Sequence, residues 1–262
     1  METRYSCVCS PRALLSSPIH AFMLKNTVYI FIVFAAVSLC SSNILAREPS
    51  RELLDQVKRS VVVIKTFNEN GKPLLQGSGF FISTSRIVTS MHVLKGATTV
   101  VVQPFKGRPF IAREIAAGDE VSDIALIVVD PPSTPISILP LETSSLSNGE
   151  GLFVVSNPQG SSWKVSEGIV DSVWNFANSG ALLRITAKLS PGSSGGPVLN
   201  LRGHVIGIAT SHADTGDDLN FAIPGESLVA FMAGLSEKYN PLSGLARAAV
   251  PSKPGNAPIF RP

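Results

Sequence analysis

A run of small residues around position 194 has the composition that acyl-transfer chemistry needs. It reads Gly192-Ser193-Ser194-Gly195-Gly196-Pro197. Glycine reaches positive φ without steric cost, so the run predicts a tight turn that pushes a serine hydroxyl outward. Such a turn also directs successive backbone N–H groups into one small space, which suits a developing oxyanion. The alternative is an ordinary Gly/Ser-rich hairpin loop, and the choice depends on whether the chain also supplies a base and an orienting acid.

His92 and Asp123 are the candidates for those two groups. His92 ends an apolar strand pattern, and Asp123 stands at the entry to another. Taken singly, a histidine at a strand end is more commonly structural, and an aspartate there is commonly a turn residue. Together with Ser194 they occur in the order His, Asp, Ser, with the serine in the second half of the chain. The other histidines are less suitable: His20 lies near the N-terminus, His204 in a hairpin turn and His212 in a polar loop.

The composition favours a loop-rich β protein. The chain has 262 residues, of which 16% are charged, 44% are hydrophobic, 21 are glycine and 19 are proline. These values are unlike those of a helical bundle or a disordered chain. The formal net charge is +3, and most of it lies before Arg47. The remainder is therefore nearly neutral and offers no basic patch for nucleic acid.

The N-terminal region resembles an export signal. Residues 28–39 are almost wholly apolar and follow Lys25. The run is short for a membrane span but fits the apolar part of a secretory signal, with a plausible cleavage site at Ile-Leu-Ala 44–46. An uncleaved membrane anchor formed by residues 28–45 is the alternative. We expect the signal to begin at Met23, so that residues 1–22 would be an over-long gene model.

Cysteine usage agrees with an exported protein that has no metal site. Cys7, Cys9 and Cys40 all lie in or before the apolar segment. The mature chain would therefore have neither a disulfide framework nor a thiolate metal site. We expect no metal and no cofactor, and we expect the mature chain to be in the periplasm or secreted.

The remaining patterns predict an N-terminal extension at 1–46, one β domain at 47–237 and a disordered, proline-rich tail at 238–262. A short helix at 51–59 begins the domain, with Ser50 as its cap, and a helix at 225–235 closes it. Residues 131–150 resemble a linker between two series of strands. The first series is predicted at 61–66, 77–82, 86–89, 98–103, 110–114 and 125–129, and the second at 152–155, 164–172, 182–186, 197–199, 205–210 and 220–223. Two antiparallel barrels are the simplest arrangement of these strands.

Three motifs carry a resemblance to a known family. Thr-Ser-Met-His-Val at 89–93, Ser-Asp-Ile-Ala-Leu at 122–126 and Gly-Ser-Ser-Gly-Gly-Pro at 192–197 resemble the active-site motifs of trypsin-fold serine proteases. The chain is most similar to the HtrA/Deg branch over about residues 50–237. The further segments that carry this likeness are Gly-Ser-Gly-Phe at 77–80, Asn-Pro at 157–158, Glu-Gly-Ile-Val at 167–170, 200–208 and 220–224.

The resemblance implies a fold and a role for each motif. The fold would be all-β, with two six-stranded antiparallel barrels, a short N-terminal helix and a C-terminal helix. In the cleft between the barrels, His92 would take the Ser194 proton, and Asp123 would hold the imidazole. The backbone N–H groups of Gly192 and Ser194, together with that of Ser193, would form the oxyanion hole.

The chain departs from the branch at three positions. Ser193 replaces the usual asparagine, and Met91 replaces a smaller residue, which we interpret as packing beside the base. Lys188 lies near the expected specificity pocket, which is usually apolar in this branch. Leu189, Ile208 and Thr210 should line that pocket, which predicts cleavage after small or medium aliphatic residues. An inward-facing Lys188 would instead favour an acidic side chain.

The resulting prediction is an exported serine endopeptidase that acts on polypeptides, in particular unfolded or damaged envelope proteins. We expect no PDZ domain, because the residues after Tyr239 are too few to form one. Monomer and homotrimer remain open. The alternatives are a catalytically silent protease fold that binds peptides or a partner, and an acyl hydrolase that acts on esters.

Overall fold

The computed structural model describes residues 48–143, 146–158, 163–176, 180–210 and 219–237. The predicted export signal with its three cysteines, the loop with His212, and the tail at 238–262 lie outside the described residues. In the described part of the chain, no helix has the length and apolar character needed to cross a bilayer.

The described elements are mostly strands. The first half contains α1 (Arg51–Ser60), β1 (Val61–Phe67), β2 (Pro73–Ser83), β3 (Arg86–Ser90), α2 (Met91–Leu94), β4 (Thr99–Pro104), β5 (Phe110–Ile111), β6 (Glu114–Asp119) and β7 (Ile124–Val128). The second half contains β8 (Gly151–Ser156), β9 (Lys164–Phe176), β10 (Gly180–Ile185), β11 (Pro197–Asn200), β12 (Val205–Thr210), β13 (Asn220–Pro224) and α3 (Gly225–Glu237).

Local sequence explains where the first helix and strand begin. The Ser50 hydroxyl accepts a hydrogen bond from the Leu53 N–H at 3.2 Å and so caps α1, as predicted. Val57 of α1 is fully buried in the core, and the half-buried Leu53 and Leu54 pack against the same cluster. The β-branched run that follows forms β1, and its first four residues are all buried. A strand buried on both faces is the kind that lies in the middle of a sheet, and β1 pairs with both β2 and β4.

The strands form the two expected antiparallel units, with one difference in the first. The second unit is the predicted closed six-stranded barrel, in the order β10-β13-β12-β11-β8-β9. The first is a seven-stranded sheet in the order β5-β4-β1-β2-β3-β7-β6. The extra strand arises because the predicted strand at 110–114 changes partner within its length. The Ala112 N–H bonds the Val100 carbonyl in β4, and the next N–H, of Arg113, bonds the Val128 carbonyl in β7. The two edges of the sheet therefore meet at this point.

The core has three parts that match this architecture. One apolar cluster is formed mainly by side chains of the first sheet and α2, and a second lies inside the six-stranded barrel. A third contains residues from both, including Phe80 and Val88 from the sheet and Phe153, Leu199 and Phe221 from the barrel. This shared cluster buries the facing surfaces of the two units and fixes how their loops meet.

Candidate active site

A tight turn presents Ser194, as the glycine-rich run predicts. The Ser193 N–H donates to the Ser190 carbonyl at 2.8 Å, which closes a turn over residues 190–193. Pro191 and Gly192 occupy its central positions, and Gly192 has a φ of +95°. Proline followed by a glycine with positive φ is the sequence that a type II turn requires. Residues 190–193 therefore adopt this turn because of their own chemistry, and Ser194 follows it.

Ser78, in β2 of the first sheet, holds this turn in place. Its N–H donates to the Ser194 carbonyl, and its hydroxyl donates to the Gly192 carbonyl, both at 2.8 Å. The carbonyl of Ser78 in turn accepts from the Thr89 hydroxyl at 2.7 Å. Ser78 and Thr89 are both fully buried. Sequence reasoning missed both roles, because these residues bond across long stretches of chain.

Gly195 lets the barrel and the sheet approach closely beside Ser194. Its φ is +87°, and its N–H donates to the Ala209 carbonyl in β12 at 2.7 Å. A methyl group at this position would overlap the Ser78 carbonyl and would lie 2.8 Å from the Ser90 amide nitrogen. The backbone after Ser194 is therefore in direct contact with the end of β3, two residues before His92.

Asp123 holds His92 by two separate contacts. The antiparallel pairing of Ser90 with Ile124 brings the end of β3 next to the start of β7. There Asp123 Oδ1 accepts a hydrogen bond from the His92 backbone N–H at 2.8 Å. The other carboxylate oxygen, Asp123 Oδ2, lies 2.8 Å from His92 Nδ1. His92 was predicted to end a strand, whereas the structure places it in α2, a single helical turn after β3.

The backbone of Asp123 explains how it makes these contacts. Its φ is +54°, in the left-handed region that aspartate tolerates better than most residues. In this conformation its carbonyl also accepts a hydrogen bond from the Met91 N–H at 3.1 Å. Asp123 thus binds successive amides of α2 and the imidazole, so α2 is fixed against the start of β7.

A model of the trypsin-like peptidase domain matches residues 77–208, about half of the chain. This chain belongs to that family. The match begins at the Gly-Ser-Gly segment of β2 and includes His92, Asp123 and Ser194, the residues whose surroundings are described above.

Similar proteins place this trypsin-like domain beside the HtrA/Deg proteases, as the motifs suggested. The putative serine protease HhoA of Synechocystis sp. is 38% identical over 158 residues, which are 57% of this chain and 40% of that protein. The periplasmic serine endoprotease DegP of Escherichia coli is 34% identical over 157 residues, 56% of this chain and 33% of that protein. A solved serine endoprotease from Yersinia pestis has a TM-score of 0.61 at 25% identity, covering 71% of this chain and 66% of that one. The trypsin-like domain therefore spans two fifths or less of both curated relatives.

Within the trypsin-like domain, the predicted oxyanion donors are not equivalent. The Ser193 N–H is already used by the Ser190 carbonyl, so its predicted share in an oxyanion hole does not fit this conformation. The Ser193 side chain is buried and points to other partners. Gly192 and Ser194 remain the predicted donors.

The four residues predicted to line a pocket have different surroundings. Lys188 is exposed, and Leu189 is half-buried with its N–H bonded to the Asn220 side chain at 3.0 Å. Ile208 is fully buried in the shared core. The Thr210 hydroxyl donates to Asp123 Oδ2 at 2.9 Å, a contact that sequence reasoning missed. Pocket lining by these residues stays a prediction. Met91 is buried in the first-sheet core, in agreement with a packing role.

The environment of Asp123 favours its ionised form. Burial raises the pKa of Asp123, but this effect is outweighed by the hydrogen bond and charge of the His92 ring, the His92 backbone N–H and the Thr210 hydroxyl. The resulting pKa lies below the ordinary value for aspartate. An ionised carboxylate only accepts hydrogen bonds, so Nδ1 of a neutral His92 carries the hydrogen and Nε2 keeps its lone pair. Among the described residues, no group of three or more His, Cys, Asp and Glu side chains could hold a metal.

The lowered pKa of Asp123 predicts a pH-dependent contribution to stability. A group whose pKa is lower in the folded state stabilises the fold fully above its unfolded pKa, about 3.9 for aspartate, and loses this effect as the pH falls through the folded pKa. We expect the free energy of unfolding of the wild type, relative to Asp123→Asn, to decrease with falling pH in that acidic range. Urea denaturation from about pH 3 to about pH 7 measures this difference.

Asp130→Asn is the matched control, because Asp130 forms only an exposed ion pair with Arg113. If the free energies of unfolding of the wild type and Asp123→Asn differ by the same amount at every pH measured, the predicted lowering of the Asp123 pKa is contradicted.

Proposed function

We propose that this chain is a serine endopeptidase in which Ser194 attacks the peptide carbonyl, His92 is the general base and Asp123 orients the imidazole. The pair of 2.8 Å contacts from Asp123 to the ring and backbone of His92 carries this proposal. They supply the orienting acid and the correct tautomer, which an ordinary structural histidine would not need. The membership of the family and the named proteases among the relatives support the same reaction class.

In the proposed reaction, Nε2 of His92 accepts the proton as the Ser194 oxygen forms its bond to the carbonyl carbon. The imidazolium that results is stabilised by the ionised Asp123, which remains unprotonated. The C–N bond then breaks, and His92 returns the proton to the leaving amine. Water repeats the sequence on the acyl-enzyme and regenerates the Ser194 hydroxyl. His92 is only 37% exposed and Asp123 only 24%, so part of the surrounding water is excluded from these charges.

The negative charge that develops on the substrate oxygen requires preorganised donors. We assign the N–H groups of Gly192 and Ser194 to this role, because the turn at 190–193 and the bonds from Ser78 fix the backbone on either side of them. Removal of a single such donor costs about 3 kcal/mol of transition-state stabilisation in comparable enzymes. The rigidity of this turn is therefore central to the proposed activity.

We further propose export of the chain and action on unfolded or damaged envelope proteins, as a monomer or a homotrimer. The apolar segment at 28–39 and the relatives named as periplasmic support export. N-terminal sequencing of the protein purified from its cells should find Arg47 or a neighbouring residue first. A chain that retains residues 28–45 and sediments with membranes would instead support the anchored alternative.

A fluorophosphonate probe tests the nucleophile. We expect labelling of the wild type and none of Ser194→Ala, because the probe reacts with a serine only when a base and oxyanion donors activate it. The full chain should also degrade casein, and Ser194→Ala should not. Ser83→Ala, at the end of β2, is the matched control and should be labelled like the wild type. A wild type that resists the probe would favour the silent, peptide-binding alternative, and rapid ester turnover without casein degradation would favour an acyl hydrolase.

A peptide library tests the specificity. We expect cleavage after small or medium aliphatic residues such as valine and alanine, because Leu189 is the half-buried apolar residue near the turn. Since Lys188 is exposed, Lys188→Ala should leave the profile unchanged. Strong cleavage after lysine or arginine would contradict the aliphatic prediction. A preference for acidic residues that disappears in Lys188→Ala would show that the lysine faces the substrate.

A further inference from the structure

Two buried serine hydroxyls lie beneath the turn that carries the proposed oxyanion donors. Ser193 is 3% exposed and Ser156 is 4% exposed. Their Oγ atoms are 3.1 Å apart, although the residues are separated by 37 positions in the chain. A buried hydroxyl destabilises the fold unless it is hydrogen-bonded, and each of these two hydroxyls supplies a partner for the other.

The Ser193 hydroxyl closes the turn a second time. It accepts a hydrogen bond from the Ser190 N–H at 3.1 Å, while the Ser193 N–H donates to the Ser190 carbonyl at 2.8 Å. The two residues therefore bind each other reciprocally, and Pro191 and Gly192 lie between them. These two bonds hold the ends of the turn together, and within the closed turn the positive φ of Gly192 sets the direction of its N–H. The geometry of the closed turn, and with it the Gly192 N–H, thus depends on where the Ser193 side chain is held.

Ser156 supplies a fixed point for that side chain. It is the last residue of β8, which pairs with both β9 and β11 inside the closed barrel. Ser156 itself pairs with Lys164 of β9, and Val154, two residues before it, pairs with Val198 of β11, so the end of β8 is held within the barrel. The hydroxyl contact connects a rigid strand end to the Ser193 side chain and, through it, to Gly192.

We propose that Ser156 is a positioning residue which, through the buried Ser193 hydroxyl, holds the Gly192 N–H in the orientation needed to bind the oxyanion. This inference rests on the proposed function. Both hydroxyls are neutral, so this contact to the turn carries no charge. Ser156 itself touches neither the substrate nor the reacting atoms in this arrangement.

The test compares Ser156→Ala, Ser193→Ala and Ser60→Ala in the full chain. Ser60 is a matched control, because it is also fully buried and its hydroxyl makes one hydrogen bond, to the Phe81 carbonyl at 3.3 Å. We expect Ser156→Ala to lower kcat about tenfold with KM changed by less than about twofold, since one neutral hydrogen bond is worth up to that factor. A peptide aldehyde, whose hemiacetal oxygen occupies the oxyanion site, should bind more weakly by a similar factor. Ser60→Ala should leave kcat and aldehyde affinity unchanged.

The double variant provides the sharpest test of the route from Ser156 to the turn. If Ser156 acts through Ser193, the double variant Ser156→Ala/Ser193→Ala should be no slower than Ser193→Ala alone. Effects that multiply would mean that Ser156 acts by another route, and this result would overturn the inference. The pH profile of kcat/KM should keep its wild-type shape in all three variants, because serine hydroxyls stay neutral throughout the profile.

The remaining outcomes separate this inference from the proposed function. An active wild type together with a Ser156→Ala variant that keeps its kcat and aldehyde affinity would overturn the inference alone. A fall in kcat that Ser60→Ala reproduces at the same loss of Tm would also overturn it, since the effect would then be general loosening of the fold. A wild type without probe labelling would remove the proposed function and this inference with it. If Ser156→Ala does not fold, Ser156→Cys takes its place in the test. Its thiol is a weak donor, so this variant should lower kcat by less than the factor of about ten expected for Ser156→Ala.

Discussion

The contact between the Gly195 backbone and the first sheet is the constraint on which the site depends. The barrel carries Ser194, and the sheet and α2 carry Asp123 and His92, so chemistry requires the two units to meet with little tolerance. Gly195 permits this approach because it has no side chain to separate its backbone from the Ser78 carbonyl and the Ser90 amide. The two hydrogen bonds from Ser78 then fix the distance. A larger residue at position 195 would separate the proposed nucleophile, Ser194, from the proposed base, His92, before it affected either one.

Strand β12 connects the two halves of the site in a second way. The carbonyl of Ala209 binds the Gly195 N–H, and the hydroxyl of the next residue, Thr210, binds Asp123. One short segment therefore contacts both the backbone beside Ser194 and the carboxylate that binds the His92 ring. Because β12 is buried along its whole length and paired on both sides, these contacts share one rigid support. This arrangement explains why a barrel strand can influence the pKa of an aspartate from the other unit.

Sequence reasoning succeeded where local chemistry determines structure. The β-branched run of β1, the cap at Ser50 and the turn around Ser194 all depend on neighbouring residues. The first two were predicted as the structure has them, and the third was predicted from the glycines, without the part played by Pro191. Strand β6 was missed because Ala116, Ala117 and Gly118 have little β propensity, so its pairing with β7 determines its conformation. The roles of Ser78 and Thr210 could not be found either, because their partners lie 114 and 87 residues away along the chain. Such contacts follow from strand register and the packing of the two units, which no local pattern encodes.

In this site the charged side chains and the groups that hold the turn are different residues. Its ion pair is confined to His92 and Asp123, where the burial of the carboxylate is compensated by donors from the ring, the backbone and Thr210. In the described part of the chain, the contacts that hold the turn beneath the proposed oxyanion site come from hydroxyl and backbone groups. A buried charge beneath that turn would add its own field at the place where negative charge develops, and its effect would change with pH. Neutral donors avoid both consequences, so the turn keeps one geometry as the pH changes.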